Sequence, residues 1–310
     1  MSSEQISKQG LLEKVGNKKI SFVLGTFNRK VMLKLAISSI RSETKDIPHE
    51  IIVIDGGSTD RSLKWLLKQK DIITIIQHNR GTWNNNAIVT RSWGYFMNLG
   101  FKCAEGKYIC MLSDDCLLVP NSIRNALKLF EEKLIGGAKV GACAFYFRDW
   151  PDTKNYYINK LSNITLVNHG LFLREALIKI QFINETNYEF YYGDYDLSLR
   201  LDEAGYDIID SPRSFVEHTL HADNFTRKSN ITKIENDFVN FKEKWAKKFP
   251  DLQKNIVATK YERDFFDVNK TVDEFKIIRQ LRKLNLKYMI IRLQHSIKIR
   301  ERINNLFYKQ

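Results

Sequence analysis

The chain has 310 residues, a length that corresponds to about two domains and is ample for a sizeable core. Its hydrophobic fraction of 43% and charged fraction of 27% exclude disorder, collagen and coiled coil as first readings. The net charge of +13 asks for an acidic partner, yet +9 of it lies between Lys276 and Gln310, so a nearly balanced body carries a basic tail.

From the N-terminus, Met1 to Gly10 is polar and has no apolar signal core. Lys19 to Thr26 is an apolar run that ends in small polar residues, a strand. Val31, Leu35, Ile37 and Ile40 then follow helical spacing. Glu50 to Asp55 is a β-branched run, as expected of a strand buried on both faces. Thr59 or Asp60 can cap a helix that carries Leu63, Leu66 and Leu67. Ile72 to Gln77 is a third strand, and the Gly- and Asn-rich stretch from Asn79 to Asn86 is a loop. Ile88 to Ala104 reads as a helix, Lys107 to Leu112 as a fourth strand and Asn121 to Leu134 as the helix after it. Gly141 to Phe147 is another strand, and irregular aromatic chain follows from Trp150 to Tyr157. Asp194 to Ala204 is a helix and Tyr206 to Asp210 a short strand; everything beyond Lys233 reads as helical. Repeated strand–helix units predict an α/β fold with a mainly parallel central sheet flanked by helices. The expected division is a domain over residues 1–232 and a helical C-terminal extension over 233–310.

Four cysteines, Cys103, Cys110, Cys116 and Cys143, have neither C-x-x-C spacing nor a disulfide framework. That predicts a reduced, cytosolic protein without structural zinc. No run reaches the roughly 18 to 20 apolar residues of a membrane span.

Open α/β sheets bind ligands at the carboxyl ends of their strands. The first strand ends in Gly25-Thr26-Phe27-Asn28-Arg29, small and polar enough for a ligand to approach the backbone. The second ends in D-G-G-S-T-D at 55–60, where Asp55 can accept from a base N–H or a ribose hydroxyl. An ordinary capped strand–helix joint explains the same letters. The fourth ends in Ser113-Asp114-Asp115, two carboxylates that repel unless neutralised. Either they point into solvent, or a hard cation such as Mg²⁺ or Mn²⁺ holds them. In G-D-Y-D-L-S-L-R at 193–200, Asp196 can pair with Arg200 one helical turn on. Asp194 is then the freer carboxylate, open to general-base work or to N-capping. Phosphate loops of the G-x-G-x-x-G and Walker types are absent.

These pieces in this order resemble a family 2 glycosyltransferase of the GT-A fold, inverting and of the bacterial surface-polysaccharide type. The matching segments are S-F-V-L-G-T-F-N-R at 21–29, E-I-I-V-I-D-G-G-S-T-D at 50–60, N-L-G-F-K-C-A-E-G-K-Y-I at 98–109, L-S-D-D at 112–115 and G-D-Y-D-L-S-L-R-L-D-E-A-G-Y at 193–206. The resemblance implies metal-dependent transfer of a sugar from a nucleotide-sugar, UDP favoured, to a hydroxyl of a glycan or lipid-linked acceptor. It places Thr26, Phe27, Asn28, Asp55 and Asp114 on the nucleotide, and Asp115 with His218 on Mn²⁺ or Mg²⁺; His221 is the alternative to His218. Asp194 falls at the catalytic base, and His169 and Asp196 at the acceptor side. Trp83, Trp93 and Trp150 are candidates to stack on sugar rings, against a default role in packing. Ser113 stands where the family's D-x-D pattern has an acid, which leaves a catalytically weak nucleotide-sugar or glycan binder as the alternative.

The tail repeats apolar residues at helical spacing, Ile277, Leu281, Leu284, Tyr288 and Ile291, among Lys276, Arg279, Arg282, Lys283 and Lys287. Two uses fit equally: residues 275–310 lie on an anionic membrane, which would make the protein peripheral on the inner face, or the stripe packs on the body or on a second subunit. Basic residues gathered in a tail, without an RNA- or DNA-binding motif, argue against a nucleic-acid partner.

Overall fold

The computed structural model describes residues 19–150, 155–219, 230–250, 252 and 256–261. Contacts divide the chain into a first unit, Met1–Arg263, and a second, Asp264–Gln310, which lies outside the described residues together with the basic tail.

In chain order the elements are β1 (Ile20–Thr26), α1 (Lys30–Glu43), β2 (His49–Asp55), α2 (Ser62–Leu66), β3 (Ile72–Ile76), β4 (Thr82–Trp83), β5 (Asn86–Ala87) and α3 (Trp93–Cys103). There follow β6 (Tyr108–Ser113), β7 (Cys116–Leu118), α4 (Ser122–Ile135), β8 (Val140–Trp150), β9 (Tyr156–Leu161), β10 (Ile164–Leu166) and β11 (Gly170–Leu173). The last are α5 (Arg174–Lys179), α6 (Gly193–Glu203), β12 (Asp207–Thr219), α7 (Ile234–Trp245) and β13 (Ile256–Tyr261).

Eleven strands form one sheet along the path β10-β9-β8-β11-β6-β1-β2-β3, with β12 beside β8, β7 on β12 and β13 on β9. The half made of β3, β2, β1 and β6 is parallel. The sheet as a whole is mixed, because β11 runs antiparallel between β6 and β8, and β9, β10, β7 and β13 also pair antiparallel. Ile20, Phe22, Leu24, Ile51 and Val53 are fully buried, as β-branched and apolar runs between two helical layers must be. Gly100 of α3 faces the sheet, where a Cβ would stand 2.5 Å from Val23 Cγ1, so the absent side chain sets how closely helix and sheet approach. Register then fixes the site: Thr26 pairs with Asp55 and Gly25 with Ser113, which brings the carboxyl ends of β1, β2 and β6 level.

Several elements differ from expectation. The helix expected from Ile88 begins at Trp93, because Ser92 is extended and its Oγ accepts from Tyr95 N at 3.1 Å. The expected loop at 79–86 contains the ribbon β4–β5. The irregular aromatic stretch gives way at Tyr156 to β9, which a hairpin through Ser162, left-handed at φ 52°, joins to β10. The short strand expected to end at Asp210 continues to Thr219, and Ser211-Pro212 is absorbed as a register shift against β8 rather than a stop. Residues beyond 233 are not all helical. The strand β13 pairs with β9, and Phe241, Trp245, Phe249 and Leu252 share a core with Leu161 and Leu199. Helix α7 therefore packs on the body rather than opening an extension at 233. The four cysteines are free, three of them buried.

Candidate active site

The carboxyl ends of β1 and β6 bring Thr26, Arg29, Asp114 and Asp115 together. Asp114 and Asp115 are 3% and 6% exposed. Thr26 Oγ1 donates to Asp114 Oδ2 at 2.7 Å. A single nitrogen, Arg29 Nη1, is 2.8 Å from both Asp114 Oδ1 and Asp115 Oδ2. Burial raises the Asp114 carboxyl above the usual range, with Arg29 opposing and Asp115 adding to the rise. For Asp115 burial acts the same way, but His218, Arg29 and His169 outweigh it and hold the group low. The carboxylates thus do not point into solvent, and the chain itself supplies a neutralising cation. Arg29 stood in the quoted turn, but no spacing rule ties it to residues some 85 positions on.

Strand β12 adds His218, opposite Cys116 of β7. His218 Nδ1 lies 2.8 Å from Asp149 Oδ1, and Nε2 faces Asp115 Oδ1 at 3.5 Å. Burial lowers the basicity of His218, yet Asp115 and Asp149 together raise it above its ordinary value. Asp115, Cys116 and His218 can bring one ligand atom each within 4.8 Å of one another. A carboxylate beside an imidazole whose second nitrogen is fixed by another carboxylate is a donor set that fits a divalent cation. Asp149 was not legible in the sequence; it sits in an aromatic stretch with no motif. His169 lies beneath, 7% exposed, its Nε2 3.5 Å from Cys116 Sγ and its ring edge-on to Phe147. Burial and neighbouring His218 depress it to about 3, so it is neutral. His221 and the Trp150 side chain lie outside the described residues.

Asp55 is fully buried. Its Oδ1 accepts from Gly57 N at 2.9 Å and Ser58 N at 2.7 Å, while Oδ2 has no hydrogen-bond partner among the described residues. Asn28 does not face the cleft. Its Oδ1 accepts from Thr59 N at 2.7 Å, and its own N donates to Ser58 Oγ at 2.9 Å, so it ties the first turn to the second. Asp60 serves both helices, accepting from Lys30 N and Ser62 N. Phe27 lines the cleft with Arg80 over its ring at 5.3 Å.

Asp194 lies in the first turn of α6 and lines a compartment with His169 and His218. Asn168 Nδ2 donates to its Oδ2 at 2.6 Å and Tyr195 N to its Oδ1 at 3.0 Å. Burial pushes its pKa up to about 6 despite these bonds. Asp196 turns away from the cleft. It is fully buried and accepts from Arg200, Lys244, Trp245 Nε1 and Tyr188 OH. It anchors α7 and is not an acceptor-side group.

Two adjoining compartments share Trp93, Ser113, Asn168 and Phe190. The first carries Arg29, Arg80, Arg91 and Lys233. The second carries Asp194, His169 and His218 among aromatic rings, including Tyr191, Tyr192 and Tyr195. The loop between them is held by α7: Asp237 accepts from Glu189 N, Phe190 N and Tyr191 N at 2.7–2.9 Å. Trp83 is 74% exposed and lines neither compartment.

A mixed α/β sheet with a buried acidic pair at the end of a central strand places this cleft where open α/β sheets bind their ligands. The chain belongs to glycosyl transferase family 2, whose model matches residues 21–182. It is similar to the poly(ribitol-phosphate) β-N-acetylglucosaminyltransferase TarP of Staphylococcus aureus (strain N315), 33% identical over 104 residues, 33% of this chain and 29% of that protein. It is also similar to the undecaprenyl-phosphate 4-deoxy-4-formamido-L-arabinose transferase of Serratia proteamaculans (strain 568), 24% identical over 164 residues, 51% of this chain and 48% of that protein. The chain thus spans less than half the length of either relative. Among solved structures it is similar to S. aureus TarS 1–349 in complex with UDP-GlcNAc, with a TM-score of 0.49 and 17% identity over 66% of this chain and 60% of that one. No helix among the described residues is long and apolar enough to cross a membrane.

Proposed function

We propose that the protein is a metal-dependent, inverting glycosyltransferase that moves a sugar from a nucleotide-sugar, UDP favoured, to a hydroxyl of a glycan or lipid-linked acceptor. The observation that carries this is one compartment lined by both Asp194 and His218, whose Nε2 faces Asp115 Oδ1 at 3.5 Å. Family membership and the sugar transfer named in the relatives support it.

Asp55 offers the unused Oδ2 as an acceptor for a base N–H or a ribose hydroxyl. Thr26 fixes Asp114, and Phe27 with Arg80 lines the donor side. Arg29, Arg80, Arg91 and Lys233 suit a diphosphate. Asp115 and His218 would hold Mn²⁺ or Mg²⁺, with Asp149 orienting the imidazole. Such an ion supplies positive charge against the leaving diphosphate. Asp194 takes the proton from the acceptor hydroxyl as its oxygen attacks the anomeric carbon, and a single displacement inverts that carbon. Aromatic rings around Asp194 give the acceptor sugar an apolar face and exclude water. Ser113 in place of an acid leaves Asp114 and Asp115 as the complete acidic set. The basic tail, residues 275–310, is proposed to hold the enzyme on an anionic membrane.

Calorimetry with UDP and Mn²⁺ tests the metal assignment. Wild type is expected to bind both, and Asp115→Ala to lose the Mn²⁺-dependent part while keeping its circular dichroism. Equal binding by the two proteins would remove Asp115 from the role.

A further inference from the structure

Arg29 has an unusual position for a residue so close to a metal-type acidic pair. One guanidinium nitrogen contacts both carboxylates at 2.8 Å. The arginine side chain is 22% exposed, whereas those of Asp114 and Asp115 are 4% and 6% exposed. Two adjacent buried carboxylates cannot both stay ionised without a cation, and Arg29 is the one that touches both, with His218 facing Asp115 alone. A divalent ion on Asp115 would draw on the same negative charge and would be repelled by the guanidinium beside it. The two cations therefore compete for Asp115. Arg29 also lines the compartment that carries Arg80, Arg91 and Lys233. A diphosphate placed there presents oxygens that pair with a guanidinium as well as a carboxylate does.

We propose that Arg29 is the resident counter-ion of Asp114 and Asp115, and that it yields Asp115 to the divalent cation when a nucleoside diphosphate takes up the guanidinium. This rests on the metal-dependent reading above. The consequence is positive coupling: nucleotide raises affinity for the metal, and metal raises affinity for nucleotide by the same factor. The order is useful chemically. A metal site that fills only with donor present keeps the free enzyme from being occupied by stray ions.

The test is a titration of the full-length chain with Mn²⁺, reading free Mn²⁺ by electron paramagnetic resonance, without and with saturating UDP. Wild type, Arg29→Gln and Arg29→Lys are compared, with thermal melts as a check on folding. For wild type, UDP is expected to tighten Mn²⁺ binding about tenfold or more, in the range of coupling between linked sites. Arg29→Gln is expected to bind Mn²⁺ more tightly than wild type without UDP and to lose most of the UDP effect. Arg29→Lys keeps the charge without the planar fork; it should hold Mn²⁺ off as wild type does and lose part of the coupling. Unchanged or weaker Mn²⁺ binding by the glutamine variant without UDP overturns the proposal. If that variant does not fold, a lysine variant with full wild-type coupling overturns it instead. Mn²⁺ that fails to bind wild type with or without UDP overturns the metal-dependent reading itself, a result distinct from either.

Discussion

Asp194→Asn tests the site most directly, because it should lower activity and raise stability together. The Asp194 carboxyl is pushed from 3.8 to about 6 by burial. At about 1.4 kcal/mol per pKa unit, its ionisation in the fold costs on the order of 3 kcal/mol before allowance for partial exposure. The sign follows from the raised value. The folded state holds the proton more tightly than the unfolded state, so the cost is present in full above pH 6 and disappears as pH falls toward the unfolded value. Asparagine removes the charge but cannot accept from both Tyr195 N and Asn168 Nδ2, and one lost bond returns about 1 kcal/mol. The net expectation is a gain of about 1–2 kcal/mol at pH 7.5, read by urea denaturation, shrinking toward zero or reversing near pH 4. Transfer to acceptor should fall by about 10² to 10⁴ while UDP binding persists. For wild type, the rate should climb as pH rises through about 6 and level off above 7, since only the ionised carboxylate accepts a proton. A variant that turns over normally, or a wild-type profile flat from pH 5 to 7.5, would refute the assignment of Asp194. A variant less stable than wild type at pH 7.5 would refute the burial argument.

The remaining predictions concern structure and location. Asp196→Ala is expected to destabilise the body by about 3–5 kcal/mol in urea, because Arg200 and Lys244 lose their buried partner; a loss under 1 kcal/mol would show that Asp196 does not anchor α7. Gly57→Ala places a Cβ 2.5 Å from His78 Nδ1 on a backbone at φ +89°, so it should cost about 1–3 kcal/mol and weaken UDP binding through Asp55; a neutral result would mean that the turn yields freely. Full-length protein should pellet with anionic vesicles at low salt, at about 1 kcal/mol per basic residue near the surface, and a chain ended at Asp273 should not; equal behaviour of the two removes the tail from membrane binding.

The position of the candidate cleft was legible because its polar residues follow directly on the strands that carry them. A buried strand followed at once by Asp55, or by Asp114 and Asp115, announces both the element and its polar carboxyl end. The first turn was legible only in part. Thr26 lines the first compartment and gives its hydroxyl to Asp114, whereas Asn28 is spent on the 55–60 turn. Arg29 and Asp149 escaped because their roles exist only across strands that meet far apart in sequence. Asp194 and Asp196 share a motif, yet one faces a cleft and the other a core, a difference set by the arrival of Lys244 and Trp245 from α7. The rest of the sheet was hidden by short strands, a left-handed serine turn and a register shift at Pro212 in β12, each of which mimics loop.

The grip of Asp237 on the loop from Glu189 to Tyr191 is made wholly through main-chain N–H groups. A clasp of that kind is indifferent to the letters it holds. Side chains along the loop can be exchanged in the course of descent, or by design, while the backbone stays fastened a few residues ahead of Asp194. The family model ends at residue 182, before this loop begins. Tyr191 and Tyr192 line the compartment of Asp194 and not the one with Arg29, so under the proposed function a library confined to those two positions is the economical place to look for altered acceptor choice.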